Sequence, residues 1–357
     1  MPIPQPSGPL VPDFDILING SPLSVEMESH VIEVAIEEDV MFPSMFAIAI
    51  SGSASRATEM EWMNDRIFAI GNEVEIRMGY ANDLATIIVG EITSLEPEFA
   101  QNRSPSLTLR GYDRRHRLQR GSKTRTFTQQ KDSDIASKIA IEAQLTAQVK
   151  DSQVIHDYVI QADRTDWAFL QERARNIQYE VVVENKTLFF RPVGNAQSEI
   201  VTLSLAQDLL EFYPRLSVAQ QVSEVAVRGW NFKEKQEVVS QARSGSEVSK
   251  MGGQTLGAGL AESAFGKKSV KGMSDRPVAT QAEADRMAEA KFNQIALELI
   301  SGEGVCFGRT DLKAGKVIKI EGVSEQFSGQ YYLTAVRHRY QPAKGYYTHF
   351  TVKRNAI

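Results

Sequence analysis

The stretch Ser106-Leu-Thr-Leu-Arg-Gly-Tyr-Asp-Arg-Arg-His-Arg-Leu-Gln-Arg-Gly-Ser-Lys-Thr-Arg-Thr-Phe127 changes character near its middle. It begins with alternating apolar and polar residues, a pattern typical of a half-buried β-strand. From Arg114 onward it is dense in basic residues. The first half therefore predicts the closing strand of a β-domain, and the second half predicts a link into a domain of a different kind.

Strand patterns fill the region before this stretch. Asn19-Gly20 separates two short apolar runs, which is typical of a two-residue hairpin. Further alternating runs predict strands at residues 30–37, 45–50, 71–80 and 85–93. Several short strands with polar turns favour a small antiparallel barrel, which we place at residues 13–112. The proline-rich residues 1–12 before it predict an extended arm.

The region after the stretch combines helices with strands. Helical periodicity predicts helices at residues 132–145 and 163–177, with Asp163 as the N-cap of the second. A hairpin follows, with its turn at Asn185-Lys186. We therefore predict an α+β domain at residues 113–212.

The last region, residues 213–357, returns to strand patterns but contains an insertion at about residues 233–300. The segment Lys233–Lys271 is polar and glycine-rich, which predicts a flexible loop. Thr280 and Glu283 form a capping-box pattern at the start of a helix. Strand patterns resume at residues 316–320, 331–336 and 347–352.

The last region also repeats a spacing found in the first. A glycine followed by two apolar residues recurs at Gly71, Val74 and Ile76 and at Gly315, Ile318 and Ile320. In both regions a second strand and then a final alternating strand follow. This order predicts two copies of one barrel, so the predicted fold is mainly β with an α+β insertion.

Composition narrows the possible functions. The formal net charge is -5, which disfavours a polyanion-binding role for the whole chain. The single cysteine, Cys306, excludes an intrachain disulfide and lies in an apolar run, where it predicts a small buried side chain. The sequence has neither a signal-peptide pattern nor an apolar run of the ~20 residues that a membrane helix needs. We expect no membrane association.

The basic run supplies the candidate site residues. They are Arg114, Arg115, Arg117, Arg120 and Arg125. Such a cluster would neutralise phosphates in a nucleic-acid site, but only Tyr112 and Phe127 are near enough to stack on bases. Arginine also pairs with carboxylates at domain or subunit joints. We favour an interface role for these five residues.

The sequence nominates no catalytic, cofactor-binding or metal-binding residue. The five histidines lack metal-ligand spacing, although a turn near Pro342 could bring His338 and His349 together. The acids Glu37-Glu38-Asp39 could serve glycoside hydrolysis in principle, but acids at strand ends are common on surfaces. We expect a protein that is not an enzyme and that needs no cofactor.

Four stretches occur in an order and spacing typical of one family. They are Gly71-Asn-Glu-Val-Glu-Ile76 with Gly90-Glu-Ile92, Leu109-Arg-Gly-Tyr-Asp-Arg-Arg-His-Arg-Leu118, Thr165-Asp-Trp-Ala-Phe-Leu-Gln-Glu-Arg-Ala174, and Phe327-Ser-Gly-Gln-Tyr-Tyr-Leu-Thr334. Together they resemble the phage late control D family, whose members are central baseplate hubs of contractile tails and related injection machines. The N-terminal part of type VI secretion spike proteins has the same fold.

The resemblance implies a homotrimer in which each subunit contributes two tube-like barrels. The resulting pseudo-sixfold ring would adapt a sixfold inner tube to a threefold spike. It implies as partners the inner tube protein, a spike or spike-tip protein and other baseplate proteins. It also implies assembly in the cytoplasm into a virion tail or injection particle. The sequence ends directly after the last barrel strand, so either the spike is a separate chain or this sequence is part of a longer one.

Two other functions remain open on the sequence alone. A nucleic-acid-binding β-domain protein would use the basic run between Arg114 and Arg125. A cell-wall-degrading enzyme would need catalytic groups, which the sequence does not indicate.

Overall fold

The computed structural model describes residues 11–52, 66–81, 83–101, 104–274 and 278–357. Its strands are β1 (Pro12–Ile18), β2 (Ser21–Pro22), β3 (Val31–Asp39), β4 (Met45–Ser51), β5 (Glu73–Tyr80), β6 (Asp83–Glu98), β7 (Ser106–Tyr112), β8 (Lys123–Lys131), β9 (Thr146–Val149), β10 (Ile155–Arg164), β11 (Tyr179–Glu184), β12 (Thr187–Pro192), β13 (Thr202–Ser204), β14 (Leu209–Leu216), β15 (Glu224–Asn231), β16 (Gln236–Arg243), β17 (Val270–Met273), β18 (Ile300–Phe307), β19 (Val317–Glu321), β20 (Gly329–Gln341) and β21 (Gly345–Arg354). The α-helices are α1 (Val25–Ser29), α2 (Asp132–Glu142), α3 (Asp166–Asn176), α4 (Gly257–Phe265) and α5 (Gln281–Ala296). Short 3-10 helices lie at Arg66–Phe68, Arg114–Gln119, Gly194–Ala196 and Glu325–Phe327.

The turn predictions are confirmed. Asn19 and Gly20 have positive φ angles of 51° and 81° and connect β1 to β2. Asn185 has a φ of 51° in the turn between β11 and β12. Asparagine and glycine tolerate this left-handed region, which explains why these short sequences identified the turns.

The predicted cap of the second helix is wrong. Asp163 has a φ of 46°, whereas an N-cap residue is normally extended. The cap is Thr165, whose Oγ1 accepts a hydrogen bond from the backbone N–H of Ala168 at 3.1 Å. The helix therefore begins at Asp166, three residues after the start of the predicted range.

The region between the two β-rich parts contains strands that the sequence analysis did not identify. β8 and β10 form an antiparallel pair, and β9 joins β11 and β12 in a second small sheet. Helices α2 and α3 share one hydrophobic core with these strands. The α+β character of the block follows, although the predicted boundary at residue 212 cuts through β14, which pairs with β18 of the last region.

A single large sheet runs through the first and last regions. Thirteen strands contribute, and the main path has the order β14-β18-β21-β20-β3-β4-β7-β6-β5-β1-β2. β19 pairs with β20 and β13. The described strands thus form one continuous, mostly antiparallel sheet, and two tube-like barrels remain a prediction. Of the predicted arm, residues 1–10 lie outside the described residues, and Pro12 already belongs to β1.

The sheet contains the same five-stranded unit twice. In the first copy β3, β4, β7, β6 and β5 are neighbours in that order, and in the second copy the equivalent order is β14, β18, β21, β20 and β19. The connectivity along the chain is also the same. We call these five-stranded units the first copy and the second copy.

Two β-bulges recur at equivalent places in the copies. Thr93 is the extra residue where β6 pairs with β7, and Thr334 is the extra residue where β20 pairs with β21. Ile32 and Leu210 are the corresponding extra residues in β3 and β14. Bulges disrupt a ladder at defined positions, so their recurrence supports a repeated unit better than strand order alone.

The two copies are joined by strand pairing within the chain. β3 of the first copy pairs antiparallel with the second half of β20 of the second copy. In this register Arg337 lies opposite Glu37, and His338 lies opposite Ile36. On one face of the joint, Arg337 bonds Glu37 at 3.3 Å and Arg339 bonds Glu33 at 2.8 Å.

The segment Lys233–Lys271, for which the composition predicts a flexible loop, forms regular elements in the structure. This segment contains β16, α4 and the start of β17. Met251 is only 1% exposed and packs in a small cluster with Val317 and Tyr332 of the second copy. The segment is ordered by apolar surface from another part of the chain, which its own composition does not reveal.

Candidate interface at the arginine run

The basic run begins with an aspartate that fixes its backbone. Asp113 is the N-cap of the 3-10 helix Arg114–Gln119, and its Oδ1 accepts from the backbone N–H of Arg115 at 2.8 Å. Its Oδ2 accepts from the backbone N–H of Ser44 at 2.8 Å. Asp113 thereby ties the end of β7 to the turn between β3 and β4, and it sets the direction of the arginines that follow.

Arg115 is a buried side chain in the joint between the first copy and the α+β block. It is 2% exposed, and its Nε donates to Asp113 at 2.7 Å. Its Nη1 donates to the carbonyl of Asp39 at 3.0 Å, and its Nη2 donates to the hydroxyl of Ser44 at 2.5 Å. The guanidinium carbon also lies 5.7 Å from the ring centre of Trp167 on α3. Each of the three guanidinium nitrogens therefore bonds a partner within the chain.

Arg114 also connects the first copy to the α+β block. It is 4% exposed and bonds the carboxylate of Glu73 on β5. Its Nη1 donates to the side-chain oxygen of Asn185, in the turn between β11 and β12, at 2.9 Å. Its Nε also lies 3.4 Å from Glu91 on β6. Arg114 therefore holds the β11–β12 hairpin against the first copy.

Glu91 is the acid on which the basic run converges. It is 5% exposed, and it accepts from Arg117 Nε and contacts His116 Nε2, each at 2.9 Å. Burial alone would raise the pKa of Glu91, but the hydrogen bonds from Arg117 and His116 lower it below its usual value. Glu91 is therefore held as a carboxylate by the cations around it.

Arg125 and Arg120 differ from the central arginines. Arg125 lies on β8 and donates to Gln161 at 2.8 Å and to Asp166 at 2.7 Å, inside the α+β block. It also pairs with Glu142 of α2. Arg120 is exposed. An interface role in a larger assembly stays a prediction for Arg120 and for Arg117, whose side chain is 39% exposed.

The geometry distinguishes the two roles that the sequence left open for the basic run, which are phosphate binding and pairing with carboxylates at a joint. Phosphate binding requires basic groups that are accessible and whose charge is not already neutralised. Arg114 and Arg115 are buried, and Arg117 and Arg125 already bond carboxylates. The run is therefore suited to holding parts of this chain together and poorly suited to holding a polyanion.

A second polar cluster, which the sequence analysis missed, joins the α+β block to helix α5. His156 of β10 is 6% exposed, and its Nδ1 contacts Glu283 at 2.5 Å. Its Nε2 lies 3.2 Å from Asp132, which also bonds Arg173 at 2.5 Å. Glu283 closes the predicted capping box with Thr280, so this confirmed cap also serves as a tertiary contact. We call these four side chains, His156, Glu283, Asp132 and Arg173, the His156 cluster.

The His156 cluster favours a protonated imidazole. Burial lowers the pKa of His156, but hydrogen bonds to Asp132 and Glu283 outweigh it and raise the pKa to about 8. The Nη2 of Arg173 lies 2.8 Å from Nε2 and opposes protonation, yet two carboxylates outweigh one guanidinium. The pKa values of Asp132 and Glu283 are lowered by the same contacts, against the effect of burial.

The other candidate groups do not form a chemical site. His338 is buried between the hydroxyl of Tyr346, at 2.7 Å, and the carbonyl of Leu312, at 3.2 Å. His349 lies on the adjacent strand opposite Arg337 and is exposed, so the two histidines point to different faces. In the described part of the chain, no three His, Cys, Asp or Glu side chains are grouped to hold a metal ion. Cys306 is fully buried, as predicted.

Comparison with known proteins identifies the fold. A family model described as the Alg8 N-terminal domain matches residues 9–342. No curated protein matches the chain in sequence.

None of the helices in the described ranges has the length and apolar character of a membrane span.

Solved structures of phage tail proteins share the fold over nearly the whole chain. The 43 kDa tail protein of prophage MuSo2 from Shewanella oneidensis is 12% identical, with a TM-score of 0.71 over 96% of this chain and 98% of that chain. A tail protein from Neisseria meningitidis MC58 is 14% identical, with a TM-score of 0.70 over 97% of each chain. The E. coli c3393 protein is 14% identical, with a TM-score of 0.61 over 95% of this chain and 76% of that chain. It is described as a type VI secretion component with structural similarity to the T4 tail proteins gp27 and gp5.

Proposed function

The chain belongs to the family described as the Alg8 N-terminal domain, and from its fold we propose that it is the baseplate hub of a contractile tail or a related injection machine. In this role it acts as a structural protein, of the kind found in the late control D family. It assembles as a homotrimer in the cytoplasm and becomes part of a virion tail or injection particle. No catalytic step is assigned to it.

One observation carries this proposal: the chain contains two copies of one five-stranded unit in a continuous sheet. A trimer of such chains presents six similar units, which can meet a sixfold tube on one side. The same trimer remains threefold wherever the two copies differ, and there it can meet a threefold spike. Symmetric closed assembly also removes free sheet edges, which are otherwise aggregation sites.

The domain organisation that we propose follows the repeat. Two tube-like β-domains come from the first and second copies, and the α+β block lies between them. The arginine run fits this organisation because Arg114 and Arg115 fix the block to the first copy. Tyr332 of the second copy donates to Glu180 of the block at 2.9 Å, so the block is held from both sides. Such a rigid unit is suited to transmitting load between a tube and a spike.

The partners that we propose are the inner tube protein, a spike or spike-tip protein and other baseplate proteins. The similarity to c3393, described as a type VI secretion component, supports partners of this class. The alternative, a nucleic-acid-binding protein, gains no support because Arg114, Arg115, Arg117 and Arg125 already pair with carboxylates within the chain.

Native mass spectrometry of the purified chain, alone and with candidate tube and spike proteins, tests the proposal. We expect a mass of three copies, with the spike protein added to the trimer. Electron microscopy of the same sample should show a ring with threefold symmetry. A monomer that remains monomeric at micromolar concentration and ignores both partner types would contradict the hub assignment.

A further inference from the structure

The strands β15, β16 and β17 and the helix α5 form a unit with its own hydrophobic core. Its buried apolar side chains include Val225, Val238 and Phe292, and among the described residues this cluster shares no member with the cluster of the α+β block. We call β15, β16, β17 and α5 the inserted unit. Because the two cores are separate, the inserted unit and the block meet at a surface that can open without unfolding either part.

The inserted unit is attached to the second copy near the C-terminal end of α5. Where the chain enters and leaves the unit, the backbone N–H of Ser217 donates to the carbonyl of Leu299 at 2.9 Å. The side chain of Gln221 donates to the carbonyl of Ile295 at 2.8 Å. α5 has 16 residues and is therefore about 24 Å long, so its N-terminal end lies far from this attachment.

The N-terminal end of α5 meets the α+β block through polar side chains. Arg286 of α5 donates to the side-chain oxygen of Gln153 at 2.5 Å. Lys233, in the turn between β15 and β16, bonds Asp157 of β10 at 2.5 Å, but both side chains are largely exposed, and such pairs contribute little to stability. An open cleft of about 650 Å³ lies between residues 153–155 and α5. The interface is therefore polar and incompletely packed.

His156 and Glu283 supply a buried contact in this interface. The imidazole is faced by Asp132 from α2, by Arg173 from α3 and by Glu283 from α5, whereas Gln130, opposite it on β8, is uncharged. A protonated imidazole has an N–H for each of the two carboxylates, whereas a neutral imidazole has one N–H in total. Arg173 bonds Asp132 at 2.5 Å and remains its counterion, so loss of the imidazole charge weakens mainly the link to Glu283.

We propose that the contact between His156 and Glu283 is a proton-controlled latch, which fixes the N-terminal end of α5 to the α+β block. With the imidazole charged, the inserted unit is docked on the block. With the imidazole neutral, the ionic attraction to Glu283 is lost, and the inserted unit moves away from the block about its attachment to the second copy. The latch acts within one chain, so it is independent of the hub role.

The N-terminal cap of α5 does not depend on the latch. The second carboxylate oxygen of Glu283 accepts from the backbone N–H groups of Ala279 and Thr280, at 3.0 and 3.2 Å. These bonds lie within the inserted unit and move with it. α5 can therefore stay folded when its N-terminal end is released from the block.

Distances between two spin labels test the latch. Labels at Thr126→Cys on β8 and Gln241→Cys on β16 lie at exposed positions of the block and the inserted unit, and the native Cys306 is fully buried. The pKa of His156 is about 8 in the docked state and the ordinary 6.5 once released, so docking is favoured at low pH and weakens as the pH rises through 8. We expect one short distance at pH 6, and the ratio of long to short distances should rise about 20-fold by pH 9.5.

Three variants separate the latch from other groups that titrate. His156→Gln and Glu283→Gln each remove one charge of the pair, and the amide oxygen introduced by Glu283→Gln can still accept the cap hydrogen bonds. Both should show the long distance at pH 6 and at pH 9.5, with less than a twofold change in the ratio. Asp157→Asn removes the exposed pair with Lys233 and should keep the full pH response.

Two results would overturn the latch. One is a distance distribution of the native chain that is the same at pH 6 and pH 9.5. The other is a pH response of native size that persists in His156→Gln or in Glu283→Gln.

Discussion

Gly71 and Gly315 occupy the same position in the two copies of the repeated unit. The backbone N–H of Gly71 donates to the carbonyl of Ile92 at 2.8 Å, and that of Gly315 donates to the carbonyl of Leu333 at 2.8 Å. Their φ angles are 93° and 86°. The glycine spacing that recurs in the sequence therefore corresponds to the same backbone bend in both copies.

Replacing either glycine should cost stability through the backbone alone. A Cβ at Gly71 would meet nothing within 4 Å, and one at Gly315 would approach Glu180 no closer than 3.7 Å. The positive φ remains unfavourable for alanine, at about 1–2 kcal/mol. We expect Gly71→Ala and Gly315→Ala to lower the free energy of unfolding by similar amounts in denaturant titration. Clearly unequal losses in the two variants would refute the equivalence of the two bends, and no loss in either would refute the predicted cost of the positive φ.

Neutralising Glu91 should destabilise the joint at the arginine run. Glu91→Gln leaves Arg114, which is 4% exposed, without one of its carboxylates. Removing one partner of a buried ion pair typically costs about 3–5 kcal/mol, and the remaining partner Glu73 should keep the loss near the lower value. The matched control is Glu75→Gln, which removes a half-exposed pair with Arg77 and should cost below about 1 kcal/mol. Chemical denaturation of both variants measures the difference.

The His156 cluster predicts a pH-dependent stability. The folded pKa of about 8 lies above the ordinary 6.5, so the contribution of His156 is fully present below pH 6.5 and is lost as the pH rises through 8. The shift corresponds to at most about 2 kcal/mol. We expect the native chain to lose this stability relative to His156→Gln between pH 6.5 and 9, measured by denaturation at each pH.

Comparing the native chain with His156→Gln removes the effect on stability of other groups that titrate in the same pH range. Glu38 is one such group, because burial raises its pKa to about 7 and the substitution at His156 leaves Glu38 unchanged. Parallel stability curves for the native chain and His156→Gln would show that His156 is not protonated in the cluster.

A substitution of Met251 tests whether the segment Lys233–Lys271 is ordered or mobile. Met251→Ala should lower the free energy of unfolding by about 2–3 kcal/mol, because the side chain is 1% exposed between Val317 and Tyr332. Val248→Ala changes a side chain that is 57% exposed and should have little effect. Limited proteolysis provides an independent check, since rapid native-state cleavage within residues 244–256 would support the sequence-based expectation of a mobile loop.

A DNA-binding assay tests the alternative function, nucleic-acid binding. Arg117→Glu and Arg120→Glu change the most exposed arginines of the central run. We expect the native chain to show no salt-dependent retention of DNA in a filter-binding assay at physiological salt, so these variants should be indistinguishable from it. DNA retention by the native chain that is lost in both variants would instead support nucleic-acid binding.

The strands of the large sheet were largely predictable, because half-buried strands alternate and their turns use asparagine and glycine. Pairing partners were not predictable in the same way. The Arg115 contacts with Asp39 and Ser44 span more than 70 positions, and the contact between His156 and Glu283 spans 127. Alternation identifies a strand but does not identify its neighbour, so an interface role for the arginines was predicted, whereas their partners and the His156 contact were not.

The failures have a common physical cause. Asp163 has the chemistry of a helix cap, but β10 continues through it and ends in a left-handed turn before Thr165. The segment containing Met251 looks disordered by composition, yet the second copy supplies the surface that orders it. Local propensity is overruled wherever distant residues determine the backbone.

The connections between equivalent strands differ greatly in length. Residues 40–44 link β3 to β4, whereas residues 217–299 link β14 to β18 and contain β15, β16, β17, α4 and α5. In an assembly of three chains, the bulky connection would occur at every second unit around the circumference. One face of such a particle would alternate tall and short positions and so provide three equivalent recesses. A partner that seats in these recesses could bind in only three orientations, so the longer connection would set its rotational position.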